Sequence, residues 1–322
     1  MTIRFDLLDS FMRAEGSTLT KTESNLNAAW YPVDDTGECL RFGVKDNAPY
    51  EELSCLYPAY GKTYFEFEKT GMTKFHENMW DFMRRNPWLA YFTCALYWLG
   101  IVFGRRYFAN RPAWNCRKAL AAWNLGLAIF SFVGFARTAP QLAHNIYYYG
   151  WKNTLDSFPH SSLGQGSSCF WVLAFVLSKF VELIDTLFIV VHKKKLLFLH
   201  WYHHITVLLF CWHGWIALQP MGLIFCVVNY GVHSIMYFYY YLMAVKRKPK
   251  WFNPQVITVV QILQMVVGVR VCAQSWHLAK EPGSFVDKRI IMAGFVMYAS
   301  YLALFMQFFV NRYLVLKKVK HS

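Results

Sequence analysis

The run Leu199-His200-Trp201-Tyr202-His203-His204-Ile205-Thr206-Val207-Leu208-Leu209 decides how the rest of the chain is read. Its flanks are the apolar residues of a membrane span, yet five consecutive positions hold three imidazoles. Ionisable side chains are costly at membrane depth and are kept there for function. On a helix His200, His203 and His204 stand at i, i+3 and i+4, so their rings share one face.

The composition around this run agrees with a membrane setting. Of 322 residues, 56% are hydrophobic and 19% aromatic, too apolar for an ordinary soluble domain and too aromatic for a disordered chain. The net charge of +14 hides a division. Residues 1–81 hold 14 of the 19 acids, whereas residues 82–322 hold only Asp156, Glu182, Asp185, Glu281 and Asp287 against 25 of the 33 Lys and Arg. A basic, acid-poor, apolar body suits loops that face anionic lipid headgroups. Nucleic acid is not an expected partner, because the cations cluster between apolar runs rather than along a soluble face. The eight Cys form no CxxC pair, so neither a zinc site nor a redox motif is indicated. Residues 1–30 lack the apolar core that a signal peptide needs.

About 20 mostly apolar residues cross a bilayer. Such stretches at 87–104, 119–136, 169–191, 196–219, 221–244, 254–276 and 289–311 predict an all-α integral membrane protein with seven transmembrane helices. Arg105, Arg106, Arg111, Arg117 and Lys118 lie between the first two spans, and Lys193, Lys194 and Lys195 between the third and fourth. Lys246, Arg247, Lys248 and Lys250 lie between the fifth and sixth, and Lys317, Lys318 and Lys320 follow the seventh. The positive-inside rule puts all four clusters in the cytosol and the N-terminus on the opposite side. Residues 1–86, acidic and without a long helical pattern, then form a lumenal extension, with Tyr64-Phe65-Glu66-Phe67-Glu68 at the interface. Residues 87–316 form the body and 317–322 a basic cytosolic tail. In that tail Lys318 and Lys320 resemble a dilysine retrieval signal of endoplasmic reticulum membrane proteins. Cys169 and Cys272 fall near lumenal span ends, where a disulfide is allowed.

Three further spans carry polar stripes. Span three has Lys179, Glu182, Asp185 and Thr186, the charged three spread over an arc of about 120°. Span five has Asn229, His233, Tyr237 and Tyr240 on one continuous face. Span six has Thr258, Gln261 and Gln264 at i, i+3 and i+6. With the histidine face, four consecutive helices point to one shared cavity. At 1.5 Å per residue from the cytosolic span ends, Asp185 lies about 9 Å deep, His203 and His204 about 11–12 Å, and His233 about 16 Å. The rings and carboxylates converge in the cytosolic half of the membrane. An amphipathic substrate would leave its polar head at the lysine clusters and its apolar tail deeper.

Two chemistries fit clustered imidazoles. Membrane desaturases and hydroxylases hold iron with several histidine boxes, whereas this chain has one HxxHH box. A three-imidazole zinc site stays open, although the adjacency of His203 and His204 strains joint ligation with His200, and a metal is not expected. The other chemistry uses a neutral imidazole as nucleophile toward a thioester, with a second ring or a carboxylate moving protons. A seven-helix transporter that uses the cavity for protons or a ligand is a third class.

In order and spacing, Lys179-x-x-Glu182-x-x-Asp185-Thr186, His200-x-x-His203-His204, Asn229-x-x-x-His233-x-x-Met236-Tyr237-x-Tyr239-Tyr240 and Thr258-x-x-Gln261-x-x-Gln264 resemble the signature motifs of the ELO family of fatty acid elongases. The resemblance covers roughly residues 64–316, and the long acidic N-terminus departs from it. The His-Trp-Tyr-His-His form looks most like the subgroup that elongates saturated and monounsaturated acyl-CoA. The resemblance implies condensation of acyl-CoA with malonyl-CoA to 3-oxoacyl-CoA, CoA and carbon dioxide, in the endoplasmic reticulum membrane and without a cofactor. It also implies seven spans, six of them an inverted barrel around an acyl tunnel, a homodimer, and partnership with the reductases and dehydratase of the elongation cycle. By the same resemblance, His203 carries the acyl group, His233 serves the malonyl group, and His200 and His204 orient the site. Asp185 and Glu182 tune protonation, while Lys179, Asn229, Tyr237, Tyr240, Gln261 and Gln264 contact substrate. Lys193, Lys194, Lys195, Lys246, Arg247 and Lys248 meet the CoA phosphates.

Overall fold

The computed structural model describes residues 42–43, 49–50, 53–65, 67–68, 73–156 and 166–315. The expected dilysine pair, the rest of the tail and most of the N-terminal extension lie outside them. Among the described residues the protein is helical apart from a two-residue antiparallel ladder, Phe42–Gly43 with Pro49–Tyr50, in which Phe42 faces Tyr50.

After two four-residue helices, Leu53–Leu56 and Pro58–Gly61, the longer helices are α1 (Thr73–Arg85), α2 (Trp88–Phe108), α3 (Arg117–Leu155), α4 (Gly166–Val181) and α5 (Ile184–Val191). Then come α6 (Phe198–Ile216), α7 (Gly222–Ala244), α8 (Pro254–Leu278) and α9 (Lys288–Phe309), the last continued by a π-helical turn, Val310–Val315. Two of the starts are written plainly in the sequence. The Asn253 side chain accepts from Gln255 N ahead of Pro254 at the first helical position, and Asp287 accepts from Arg289 N at 2.7 Å.

α3, α7, α8 and α9 with its continuation are each long and apolar enough to cross a membrane. A fifth span arises if the pair Asn78–Arg85 and Trp88–Phe108, bent by 72°, counts as one. Two other expected spans fall short for identifiable reasons. The stretch 169–191 is broken between α4 and α5, and α6 carries His200, His203, His204 and His213. Large apolar side chains on the outer faces (Phe103, Ile129, Phe132, Leu263, Val296) are exposed, as a lipid-facing surface requires. The protein is an all-α integral membrane protein.

α3 and α7 form the most extensive helix pair, followed by α8 and α9. Small residues allow these close approaches. A Cβ on Gly134 of α3 would sit 2.5 Å from the Tyr230 ring of α7. Gly268 of α8 likewise leaves room for the ring of Tyr298. Tyr298 packs on Phe225 (centroids 5.1 Å apart) and near Phe210 (6.3 Å), an aromatic layer about one turn beyond Gln264. α3 runs well past the expected limit at residue 136, through Pro140 to a break at Gly150 (φ 79°). Cys272 is a buried free thiol, so the disulfide with Cys169 that the sequence allowed is not formed.

The described residues from Leu53 to Arg85 pack on the bundle. α1 forms where no long helical pattern was expected, with Met83 fully buried in the core and Trp80 Nε1 donating to Ile216 O at 3.3 Å. Leu53 N donates to Gln141 Oε1 at 2.7 Å. Of the stretch expected at the interface, Phe65 and Phe67 are exposed, but Glu68 is only 2% exposed. Its Oε1 accepts from Arg137 Nε (3.2 Å) and Trp171 Nε1 (2.8 Å), and its Oε2 from Phe65 N (2.8 Å). Arg137 also donates to Thr63 and lies over the Tyr64 ring at 4.0 Å. A paired, fully hydrogen-bonded carboxylate tolerates burial, which is how an acidic, interface-like segment docks here.

Candidate active site

A cavity of about 940 Å³ lies inside the bundle. Arg117, Lys194, Arg312 and Tyr313 border it at one end, and Asn229, Gln264 and Met265 deeper in. Between them stand Glu182, Asp185, His200, His203, His204, His233, Tyr237, Tyr240 and Gln261. The four polar stripes therefore do share one interior space.

The break between α4 and α5 places the two carboxylates. Leu183 N bonds Phe180 O, Asp185 N bonds Glu182 O, and Thr186 N bonds Leu183 O, a run of i to i−3 bonds. Side chains three residues apart eclipse in such a tightened turn. Glu182 and Asp185 thus come to one side, closer in direction than a continuous α-helix would hold them.

Each carboxylate has its own setting. Lys179 Nζ meets Glu182 Oε1 at 2.7 Å, donates to Asn229 Oδ1 at 3.2 Å, and sits 4.0 Å from the Phe175 ring centroid. Ser178 Oγ also donates to Glu182 Oε1, and His233 Nδ1 lies 3.9 Å from it. Glu182 Oε2 is buried without a hydrogen-bond partner among the described residues. Asp185 is held at both oxygens, by Trp123 Nε1 at Oδ1 and by Tyr237 OH at Oδ2, each at 2.6 Å.

The histidines differ in how they are held. His200 Nε2 bonds Thr186 Oγ1 at 2.9 Å, and Thr186 Oγ1 bonds Tyr97 OH at 2.7 Å. The His200 and His204 rings pack edge-on, 4.6 Å between centroids, and His204 Nδ1 is buried without a partner among the described residues. The His203 ring packs 5.4 Å from His204 and 5.1 Å from Tyr301, borders the cavity, and receives no side-chain hydrogen bond among the described residues. Of the three imidazoles in the box only His200 has a ring nitrogen bonded to a side chain; His203, expected to act as nucleophile, and His204 do not, and both border the cavity. Among the described residues no three His, Cys, Asp or Glu are arranged as a metal ligand set. His213 and His192 serve packing and helix ends, the first bonding Tyr91 OH at 2.9 Å and the second Phe188 O.

The cations expected on the substrate's phosphates divide. Lys194 borders the cavity. Lys193, at φ 53°, turns its ammonium onto Ala109 O and Arg111 O, and Lys248 bonds Pro249 O and Phe252 O. Lys195, Lys246 and Arg247 do not line the cavity, and Lys179 stands behind Glu182 rather than on the cavity wall. Arg117 and Arg312 also line the cavity, with Arg117 Nε held by Ala244 O at 2.5 Å. Sequence reading passed over Trp123, Tyr97 and these two arginines. Only the arginines left a signal, as charges at span ends.

Packing against lipid does not call for such a cavity, and its chemistry defines the class: an integral membrane enzyme. Residues 82–321 match the family described as ELO: GNS1/SUR4 family. The chain belongs to that family. It is 39% identical over 254 residues to very long chain fatty acid elongase 6 of Drosophila melanogaster, covering 78% of this chain and 79% of the relative. It is 42% identical over 237 residues to very long chain fatty acid elongase 4 of Trypanosoma cruzi (strain CL Brener), covering 72% and 82%. To very long chain fatty acid elongase 6 of Gallus gallus it is 39% identical over 259 residues, covering 78% and 92%.

Proposed function

We propose that this protein is a very-long-chain 3-oxoacyl-CoA synthase that acts on saturated and monounsaturated long-chain acyl-CoA. It condenses the acyl group with malonyl-CoA, giving 3-oxoacyl-CoA, CoA and carbon dioxide, the first step of fatty acid elongation. The observation that carries the reading is the single cavity on which four imidazoles and two carboxylates converge inside an apolar bundle. Relatives named very long chain fatty acid elongase support a fatty acyl substrate.

The reaction runs in two halves. A ring nitrogen of His203, free of hydrogen bonds, attacks the thioester carbonyl, and CoA leaves. The acyl group rests on the imidazole while malonyl-CoA loses carbon dioxide. The resulting enolate attacks the acyl carbon and frees His203. His233, facing Glu182, steadies the enolate, and Tyr237, fixed by Asp185, stands near the developing negative charge. Arg117, Lys194 and Arg312 hold the CoA phosphates. No step changes oxidation state, so no redox cofactor is called on.

Seven spans accommodate the reading: α2, α3, α4 with α5, α6, α7, α8 and α9, the last six as an inverted barrel around the acyl tunnel. The basic mouth faces the cytosol by the positive-inside rule, in the endoplasmic reticulum, with two copies of the chain forming a dimer. Acyl-CoA supplied alone should release one equivalent of CoA and leave an acyl adduct on His203 by peptide mass spectrometry. CoA release that waits for malonyl-CoA would overturn the two-half scheme. Absence of malonyl-dependent carbon dioxide release from microsomes holding the protein would overturn the elongase reading itself.

A further inference from the structure

Tyr97, on α2 and outside every motif in the sequence, is tied to the histidine box through one intermediary. Its OH lies 2.7 Å from Thr186 Oγ1, which lies 2.9 Å from His200 Nε2. Its ring also stands 6.2 Å from that of His204. The distances leave two directions for the protons. If His200 donated from Nε2 to Thr186, Thr186 would donate to Tyr97, and the phenol proton would have no acceptor among the described residues. An unused donor inside a membrane protein costs free energy comparable to a lost hydrogen bond. In the other direction the phenol and hydroxyl protons are both used, and the N–H left over, at Nδ1, is on a ring that lines the cavity, which Tyr97 does not. Tyr97 donates to Thr186, whose hydroxyl both accepts and donates, and Thr186 donates to the unprotonated Nε2 of His200.

We infer that Tyr97 is a positioning residue for the condensation, fixing His200 through Thr186 as the neutral tautomer protonated at Nδ1. The inference rests on the reading of the box as the acyl-transfer site. The ring nitrogen a histidine uses is set by the bond its other nitrogen makes. A His200 held in this way cannot compete with His203 for the acyl group at Nε2, and it presents a fixed edge to His204. The relay joins α2, the turn at the head of α5, and α6. Three elements therefore set the orientation of one ring.

The test uses the full-length protein in lipid nanodiscs, with Tyr97→Phe, Thr186→Val, the double variant, and Thr186→Ser. Tyr97→Phe and Thr186→Val should each slow the CoA burst from acyl-CoA alone by roughly 10-fold, with KM for malonyl-CoA unchanged. The double variant should be no slower than Thr186→Val, because groups acting in one chain are not additive. Thr186→Ser, which keeps the hydroxyl, should restore the burst. Nitrogen-15 spectra of labelled histidine should show His200 unprotonated at Nε2 in the parent and mixed in Tyr97→Phe. Additive losses, no rescue by serine, or a protonated Nε2 in the parent would each overturn the inference. If the parent forms no adduct on His203, the acyl-transfer reading fails while the tautomer signal still reports on the relay.

Discussion

Two buried glutamates, Glu68 and Glu182, each sit beside a cation and look alike at first. Glu68, 2% exposed, pairs with Arg137, and Glu182, 3% exposed, pairs with Lys179. They differ in what remains over. Both oxygens of Glu68 are bonded, by Arg137, Trp171 and Phe65. Glu182 concentrates Lys179 and Ser178 on Oε1 and leaves Oε2 without a partner among the described residues, beside a cavity. A closed set of bonds fastens a segment to the bundle, whereas an open one is kept for a visitor. A buried acid–base pair is therefore not in itself a sign of function; the unfilled position and the space beside it are.

The sharpest way to break this contrast lies on the cavity side. His203→Ala should abolish the acyl adduct and lower condensation by at least about 1,000-fold, because it removes the imidazole assigned to attack the thioester. Adduct formation measured by mass spectrometry checks it. Lys179→Ala should come next in effect, destabilising the fold by about 3–5 kcal/mol by stranding Glu182 as an unpaired buried charge; thermal unfolding in detergent reads this directly. Glu68→Gln keeps the shape and loses the charge. It should cost about 1–3 kcal/mol through weakened bonds to Arg137 and Trp171 while leaving kcat within about twofold. A large loss of kcat there would erase the distinction between the two glutamates. The smallest effect belongs to Lys152→Ala. Its 3.0 Å pair with Glu281 is exposed on both sides, so a change of at most about 1 kcal/mol is expected in stability measurements.

The cavity wall was legible where a single helix carries a stripe. Asn229, His233 and Tyr237 follow the helical period, and a polar stripe in an apolar span marks the side turned away from lipid. Trp123 was not legible. It lies 62 residues before Asp185, and an indole in an apolar helix reads as packing until its N–H is seen to reach a carboxylate. The lysine clusters read correctly as charge but not as direction. Whether a lysine faces a cavity or a neighbouring carbonyl depends on one backbone angle, as the positive φ of Lys193 shows. The docking of α1 was equally hidden. An acidic stretch without a long helical pattern gave no sign of it, because the contacts that hold this part, Trp80 with Ile216 and Glu68 with Arg137, join residues far apart in sequence.

α3 has a consequence for how the protein meets its membrane. From Arg117 to Tyr147 the helix covers about 45 Å, the thickness of a bilayer with its headgroups. Arg117 marks one surface, and the exposed rings of Tyr147, Tyr148 and Trp151 mark the other, as aromatic belts do. A helix of that length matches a bilayer together with its headgroups rather than the hydrocarbon core alone. Lipids with shorter tails leave the helix too long for the gap, and tilt takes up the excess. α7 lies along α3 and carries Asn229 and His233, so a tilt of α3 would be shared by the helix that brings those two residues to the cavity.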